Sequence, residues 1–301
     1  MTDHSNTSAL KIYGSLAVGL TAFGFAPVLV KLVSEYSPLL VAALRTVIAF
    51  LLLVPFYLRT DRSEMIEDAS KKDHKWVMMS GIALGIHFNF WIGSIYYTSV
   101  ASASVLVVTH PIILIIAERF LYKTQFQLTA WAGVLIAFGG SVLLGYADHS
   151  STASYPDATL GNLMALSAAA IFAFYFLIGR KVRQNRNWLG YVVPVYGYAA
   201  LTCVVILLVF EGIAFEWGIR PLLIGLALAL GPQIMGHGSL NYAVKYVSPT
   251  LLSTLILAEP VLATLLAFSL FSEWPSSLSM LAMLVILSGI ALTWRKRKRR
   301  G

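Results

Sequence analysis

The sequence predicts an all-α integral membrane protein whose ten transmembrane helices form two inverted five-helix repeats. Three observations predict this fold class: the composition, the spacing of the hydrophobic segments, and an internal repeat with a constant offset. Of the 301 residues, 58% are hydrophobic and 12% are charged, and the mean hydropathy is +0.75. A soluble domain carries about 25% charged residues. Because so little polar side chain is available to cover a globule in water, lipid is the expected solvent for much of the surface.

A helix that spans a bilayer needs about 20 mostly apolar residues, and ten such segments can be marked. They are Leu10–Val33, Leu39–Leu58, Trp76–Tyr97, Ala101–Tyr122, Phe126–Gly145, Leu160–Arg180, Trp188–Phe210, Pro221–Asn241, Pro249–Leu270 and Leu278–Trp294. A membrane-spanning segment is either a helix or a strand of a closed barrel. These apolar runs are continuous rather than alternating in polarity, which indicates helices.

The basic residues fall almost entirely on alternate connectors between these segments, and this predicts the orientation. With the N-terminus inside, 19 of the 22 Lys and Arg residues lie on the inner side, and two, Lys31 and Arg220, lie on the outer side. Arg45 alone lies within a helix. Cytoplasmic loops carry the excess of Lys and Arg. Both termini are therefore predicted to be cytoplasmic, in the cell membrane.

The net charge of +8 is also found in proteins that bind nucleic acid. Here, however, the basic residues lie in short connectors and in the tail Arg295–Arg300, so no nucleic acid partner is predicted. The tail is predicted to contact anionic lipid on the inner side. The single cysteine, Cys203, permits no intrachain disulfide and no metal cluster built on thiolates.

An internal repeat appears when the second half of the chain is moved back by 149 residues. The matches are Lys31 with Arg180, Tyr97-Thr98-Ser99 with Tyr246-Val247-Ser248, His110-Pro111 with Glu259-Pro260, and Gly140 with Gly289. Since each half contains five helices, an odd number, the halves must enter the membrane from opposite sides. Inverted repeats of this kind are typical of secondary transporters that bind their substrate near the midplane. The predicted parts are a first repeat 1–145, an outer connector 146–158, a second repeat 159–294 and a basic cytoplasmic tail 295–301.

The sequence resembles the EamA-like family of the drug/metabolite transporter superfamily, with two EamA domains. The residues that carry the resemblance are Leu44–Ala49, the Tyr97-Thr98-Ser99 stretch leading to Pro111, Ala258-Glu259-Pro260, Glu273 and Gly289. The resemblance covers nearly the whole chain. It implies ten helices around a central cavity and the transport of small metabolites.

Two charged residues at membrane depth are the first candidates for function, because such residues are costly in lipid and usually face a cavity or a partner. Glu259 lies near the middle of the ninth helix, directly before Pro260, and can exchange protons or contact the substrate. Arg45 lies about 10 Å into the second helix at 1.5 Å per residue. It can attract an anionic group of the substrate. The alternative for Glu259 is a structural ion pair with Arg45 that never titrates. The alternative for Arg45 is a structural role as the fixed partner of helix-end carbonyl groups or of one carboxylate.

Other polar and aromatic residues at similar depth are candidates for the same cavity. The set comprises His110, Gln233, His237, Asn241, His87, Asn89, Trp91, Tyr175 and Tyr196. Gln233, His237 and Asn241 recur at four-residue spacing and so share one helix face. The alternatives are interhelical hydrogen bonds for the histidines and ordinary packing for the aromatic residues. His87, His110 and His237 come from three helices without a ligand-spacing motif, so no metal site and no cofactor are predicted.

The predicted function is a secondary active transporter for a small polar or amphipathic metabolite, coupled to protons or working as an exchanger. No Gly-rich loop with the Lys-Ser/Thr motif is present, so ATP hydrolysis within this chain is not expected. Two rival functions are an intramembrane enzyme that acts on lipid with His and Glu as acid and base, and a membrane scaffold that transports nothing.

Glu118 is predicted to pair locally with Arg119, and Gly81, Gly85, Gly133, Gly139 and Gly140 to permit close helix contacts.

Overall fold

The computed structural model describes residues 9–65, 71–98, 100–147, 157–213, 218–262, 265 and 276–294. Every regular element in this part of the chain is helical. The helices are α1 (Ala9–Gly24), α2 (Ala26–Lys31), α3 (Pro38–Arg59), α4 (Arg62–Met65), α5 (Lys71–Tyr97), α6 (Val100–Val107), α7 (His110–Leu121), α8 (Leu128–Ala147), α9 (Ala158–Val182), α10 (Trp188–Glu211), α11 (Ile219–Leu228), a π-helix (Ala229–His237), α12 (Gly238–Ala243), α13 (Pro249–Ile256) and α14 (Ser277–Thr293). The all-helical class predicted from sequence is therefore confirmed.

Seven helical spans are long and apolar enough to cross a membrane. They are Ala9–Lys31, Pro38–Arg59, Asp73–Tyr97, Ser102–Leu121, Ala158–Val182, Trp188–Glu211 and Ile219–Ala243. Three shorter apolar helices are Leu128–Leu144, Pro249–Leu262 and Ser277–Thr293. These ten helical regions coincide with the ten predicted segments, while the count of ten crossings and their inversion stay predictions. Most of the outer connector, Glu273 and the tail 295–301 lie outside the described residues.

The fourth and ninth hydrophobic segments are each interrupted by a break at equivalent positions. Helix α6 ends at Val107 and α7 begins at His110, while α13 ends at Ile256 and the helical segment 259–262 follows. Each break lies 149 residues from the other and is followed by a proline, which removes a backbone donor. The backbone crosses both breaks through matching i→i+3 bonds, from Thr109 N to Leu106 O at 3.2 Å and from Ala258 N to Leu255 O at 3.0 Å.

The eighth segment contains a nine-residue π-helix, Ala229–His237, in its middle. Pro232 lies inside it. Proline has no backbone N–H to donate, and in a regular α-helix its ring clashes with the carbonyl oxygen four residues earlier. A wider turn relieves this conflict, and π-helical turns are frequent at functional sites. The neighbouring first segment is also irregular, with α1 ending at Gly24 and α2 beginning at Ala26.

Helices α8 and α14, the last of each predicted repeat, pack together through small residues. A Cβ at Gly140 would lie 2.8 Å from Ile286 N, and one at Gly289 would lie 2.7 Å from Gly133 O and close to Ala137. The contacts are reciprocal, because the 149-residue offset relates Gly140 to Gly289 and Ala137 to Ile286. Gly81, Gly85 and Gly133 are similarly crowded, as expected. Gly139 is different, since an added Cβ would meet nothing within 4 Å, and its predicted contact role is wrong.

Gly140→Ala is expected to destabilise the protein, because its methyl group would overlap the Ile286 backbone. Overpacking of a tight contact costs about 1–3 kcal/mol. The adjacent Gly139→Ala is the matched control and is expected to leave stability unchanged or slightly raised, since Ala favours helix over Gly. The melting temperatures of both variants are measured in detergent by recording the loss of the monodisperse peak as the temperature rises. Equal melting temperatures for the two would contradict the proposed close packing of α8 and α14.

Candidate functional site

A cavity lies between the two helix breaks. Its lining consists of Phe23, Ala26, Arg45, His87, Phe88, Trp91, Val107, Val108, His110, Phe172, His237, Ile256 and Glu259. Apart from the half-buried Val107, each of these residues is at most 8% exposed. The cavity is therefore almost closed to both sides in this conformation. Its free volume is about 40 Å³, which is space for only a few water molecules.

Arg45 projects into the cavity from α3 and is 1% exposed. Its Nε donates to Gln233 Oε1 at 2.7 Å, and its guanidinium carbon lies 3.9 Å from the centre of the Phe88 ring. Among the described residues, no further hydrogen bond to Arg45 is formed. Stacking on Phe88 fixes the plane of the guanidinium, and its two terminal nitrogens are left for another partner.

Glu259 lies at the break in the ninth segment and is 8% exposed. No described residue donates a hydrogen bond to its carboxyl group, and it forms no ion pair with Arg45 in the described part of the chain. The structural ion pair considered for these residues is therefore not formed in this conformation. Burying a charge without a partner is strongly unfavourable, so this carboxyl group requires a proton or a cationic partner from elsewhere.

Aromatic rings cover the walls between the two charged groups. The ring of His237 lies 5.0 Å from Phe23 and 5.1 Å from Phe88, and the ring of His110 lies 4.7 Å from Phe172, all edge to face. His87 is fixed by a bond of 2.9 Å between its Nδ1 and Ala168 O. Trp91 completes the wall beside Arg45. The cavity thus combines an aromatic surface with one guanidinium group and one carboxyl group.

The predicted polar face of the eighth segment is divided between three environments. His237 lines the cavity, Gln233 bonds Arg45, and Asn241 Oδ1 accepts from Tyr175 Oη at 2.8 Å away from the lining. Tyr196 Oη donates to Gln233 O at 2.7 Å. Gln233 Nε2 and His237 Nδ1 have no hydrogen-bond partner among the described residues. Tyr175, Tyr196, Gln233 and Asn241 therefore support the lining residues and do not themselves form the cavity wall.

Asn89 points away from the cavity, although sequence placed it with the candidates. Its Nδ2 donates to Gly85 O at 2.8 Å and to Cys203 Sγ at 3.3 Å, where α5 packs on α10. Conversely, the sequence did not single out Phe23, Phe88 and Phe172, which line the cavity. Their pattern resembles that of any buried aromatic residue in a transmembrane helix.

Polar side chains near two helix ends bond to backbone groups of other helices. Glu118 Oε2 accepts from Thr250 N at 2.9 Å, at the start of α13. The predicted local pair between Glu118 and Arg119 is therefore wrong, because adjacent residues on a helix point in different directions. Arg180 Nη1 donates to Val244 O at 2.7 Å and to Lys245 O at 3.0 Å, at the end of α12. These contacts join α7 to α13 and α9 to the end of α12.

Comparison with known proteins identifies the family. Residues 11–146 and 159–295 each match the EamA-like transporter family. The uncharacterized transporter YdfC of Bacillus subtilis is 25% identical over 292 residues, covering 96% of this chain and 92% of that protein. The aromatic amino acid exporter YddG of Ancylobacter novellus is 26% identical over 219 residues, covering 72% and 74%.

The fold also agrees with a solved crystal structure. That structure superimposes with a TM-score of 0.72 at 21% identity, over 94% of this chain and 96% of the other. The two matched regions together cover most of the sequence, and the relatives are named as transporters. The chain is a multi-pass membrane protein that belongs to the EamA-like transporter family of the drug/metabolite transporter superfamily.

Proposed function

We propose that this protein is a secondary active transporter that moves a small metabolite through the central cavity by alternating access. In this proposal ten helices cross the membrane in two inverted five-helix repeats, 1–145 and 159–294. Rocking of the repeats against each other exposes the cavity first to one side and then to the other. The protein acts in the cytoplasmic membrane with both termini inside, as the distribution of Lys and Arg favours.

The observation that carries the proposal is the pair of equivalent helix breaks on either side of the cavity. In transporters built from inverted repeats, discontinuous helices form the substrate site near the bilayer midplane. Here the breaks at 107–110 and 256–259 are 149 residues apart and both contribute lining residues. The reciprocal contacts of Gly140 and Gly289 support the same pseudo-two-fold relation.

Glu259 is the proposed coupling residue. It is buried at the break, faces the cavity and lacks a partner among the described residues. A carboxyl group in this position can take up a proton on one side of the membrane and release it on the other. Arg45 lines the same cavity.

The rival functions predict different outcomes. A lipid-modifying enzyme would need a nucleophile or a bound metal, whereas the described lining contains no Ser, Thr or Cys, and no described cluster of three His, Cys, Asp or Glu residues could hold a metal ion. A scaffold would have no use for charged groups in an enclosed cavity. The relative named as an amino acid exporter supports a small organic substrate. The tail 295–301 is proposed to rest on anionic lipid.

Purified protein in liposomes is expected to perform counterflow. Liposomes loaded with an unlabelled metabolite should transiently accumulate the labelled form of the same compound, chemically unchanged. Mass spectrometry of the recovered compound checks for modification. An altered compound would favour the enzyme, and the absence of counterflow across a broad panel of metabolites would favour the scaffold.

Glu259→Gln is expected to abolish accumulation driven by a pH gradient, because the amide keeps the shape but cannot exchange a proton. Solute exchange at equal pH is expected to persist. The measurement is uptake into liposomes with and without an imposed pH difference. The control is Glu35→Gln, which removes a carboxyl group from an exposed pair with Arg220 at 2.5 Å. If Glu259→Gln retains the pH dependence of the unmodified protein, Glu259 is not the coupling residue.

The inner connector 59–75 and the tail are expected to share the cytoplasmic side, with the outer connector 146–158 outside. Single cysteines introduced into these parts of a Cys203→Ala background can be labelled with an impermeant reagent. In intact cells only the position in 146–158 should react, and lysis should expose the others. Labelling of the tail before lysis would contradict the orientation.

A further inference from the structure

We propose that one small inorganic anion of the halide type, chloride under cellular conditions, binds beside Arg45 at the wall of the central cavity. The site is built from donors on both repeats, Arg45 in the first and Gln233 and His237 in the second. Three observations carry it: a buried cation without a counter-charge in the described part of the chain, two further buried donor groups without partners there, and a small free volume. This site is additional to the proposed transport function and does not depend on it.

Arg45 carries the charge that requires an anion. A guanidinium group stays protonated in proteins, and this one is 1% exposed. Among the described residues it forms no ion pair, neither with Glu259 nor with another carboxylate, and its one hydrogen bond runs from Nε to the neutral side chain of Gln233 at 2.7 Å. Burial of a charge without a counter-charge is strongly unfavourable. An anion at the terminal nitrogens of Arg45 removes that cost.

The amide group of Gln233 supplies a second donor next to the guanidinium. Because Arg45 Nε can only donate, the atom of Gln233 that faces it is the amide oxygen Oε1. The amide nitrogen Nε2 is bonded to the same carbon and has no hydrogen-bond partner among the described residues. Since Gln233 is completely buried, bulk water does not satisfy this donor, whereas an anion beside Arg45 does.

His237 supplies a third donor from the cavity wall. Its ring lies 5.1 Å from the ring of Phe88, on which the guanidinium carbon of Arg45 is stacked at 3.9 Å. The Nδ1 of His237 is buried and has no hydrogen-bond partner in the described part of the chain. In the tautomer that carries the proton on Nδ1, this atom donates to an anion. The three side chains therefore offer donors around one part of the wall.

The free volume of the cavity limits the size of the anion. About 40 Å³ is free in this conformation, which is space for only a few water molecules. A halide ion is little larger than a water molecule and fits, whereas a nucleotide, a phosphate ester or a dicarboxylate does not. The rings of Phe23, Phe88 and Phe172 form much of the remaining lining and have no oxygen that would compete for the donors.

An anion at this place joins the two repeats. Arg45 belongs to the matched region 11–146, and Gln233 and His237 belong to the matched region 159–295. Charge-assisted hydrogen bonds are stronger than those between neutral groups, so an anion bonded from both regions holds α3 against the π-helix. Chloride is therefore expected to stabilise the closed conformation, since a ligand that binds only the folded protein raises its melting temperature.

The test measures the melting temperature of the purified full chain in detergent while chloride replaces gluconate at constant ionic strength. Chloride at about fivefold its dissociation constant is expected to raise the melting temperature by roughly 2 °C or more. Bromide should act like chloride, and its anomalous scattering in crystals of the protein should place it beside Arg45. Acetate in the same series tests whether the donors prefer a carboxylate.

Two variants should remove the chloride effect for different reasons. Arg45→Gln removes the cation, and Gln233→Glu places a carboxylate at Arg45 Nε, so that the counter-charge comes from the chain itself. The melting temperature of both should be independent of chloride. Arg220→Gln removes an arginine from the exposed outer pair and should keep the full shift. If Arg45→Gln fails to fold, Gln233→Glu and the anion series on the unmodified protein still decide.

Equal melting temperatures in chloride and gluconate would overturn the inference. So would a chloride shift of unchanged size in Arg45→Gln, because it would then be a general effect of salt. A larger shift in acetate than in chloride would overturn the assignment to a halide and indicate that the donors serve the carboxylate of an organic solute. Counterflow tests the transport function separately, so each of these results leaves that proposal standing.

Discussion

Every backbone polar group within a bilayer must find its partner inside the protein, because lipid offers none. This constraint explains where the helices of the chain are irregular. The two breaks lie beside the cavity and are bridged by i→i+3 bonds, and the π-helix around Pro232 keeps its Gln233 carbonyl bonded to Tyr196. Helix α8, in contrast, is continuous. In the described part of the chain, the two breaks and the π-helix bring Glu259, His110 and His237 to one cavity.

The sequence predicted this arrangement where a local rule was sufficient. Apolar segment length determines where helices can cross. The constant offset marked Pro111 and Pro260 as equivalent positions, although each segment was predicted as one continuous helix without the break that precedes its proline. Buried charges are rare in membranes, which singled out Arg45 and Glu259. Both line the cavity in the structure.

Long-range partners could not be predicted in this way. The sequence neighbour of Glu118 is Arg119, but its actual partner is a backbone group at Thr250, which only the packing of α7 on α13 brings near. The four-residue spacing of Gln233, His237 and Asn241 assumed a regular α-helix, and the π-helix changes how those side chains are distributed. Asn89 was predicted to line the cavity because of its depth in the third segment. Depth alone does not determine which neighbouring helix a side chain contacts.

The bond from Glu118 to Thr250 has no counterpart in the sequence of the other repeat. The 149-residue offset places Ala267 opposite Glu118 and Ala101 opposite Thr250, and a methyl group cannot accept a hydrogen bond. One such bond contributes about 1 kcal/mol, which corresponds to about a fivefold bias in the populations of two conformations. In a transporter of the proposed kind, a conformation that breaks this bond would be rarer than its counterpart at the other face. A solute arriving at that face would meet fewer receptive molecules, and its apparent dissociation constant would be raised by the inverse of that fraction. A carrier with nearly symmetric halves would thereby have different affinities at its two faces.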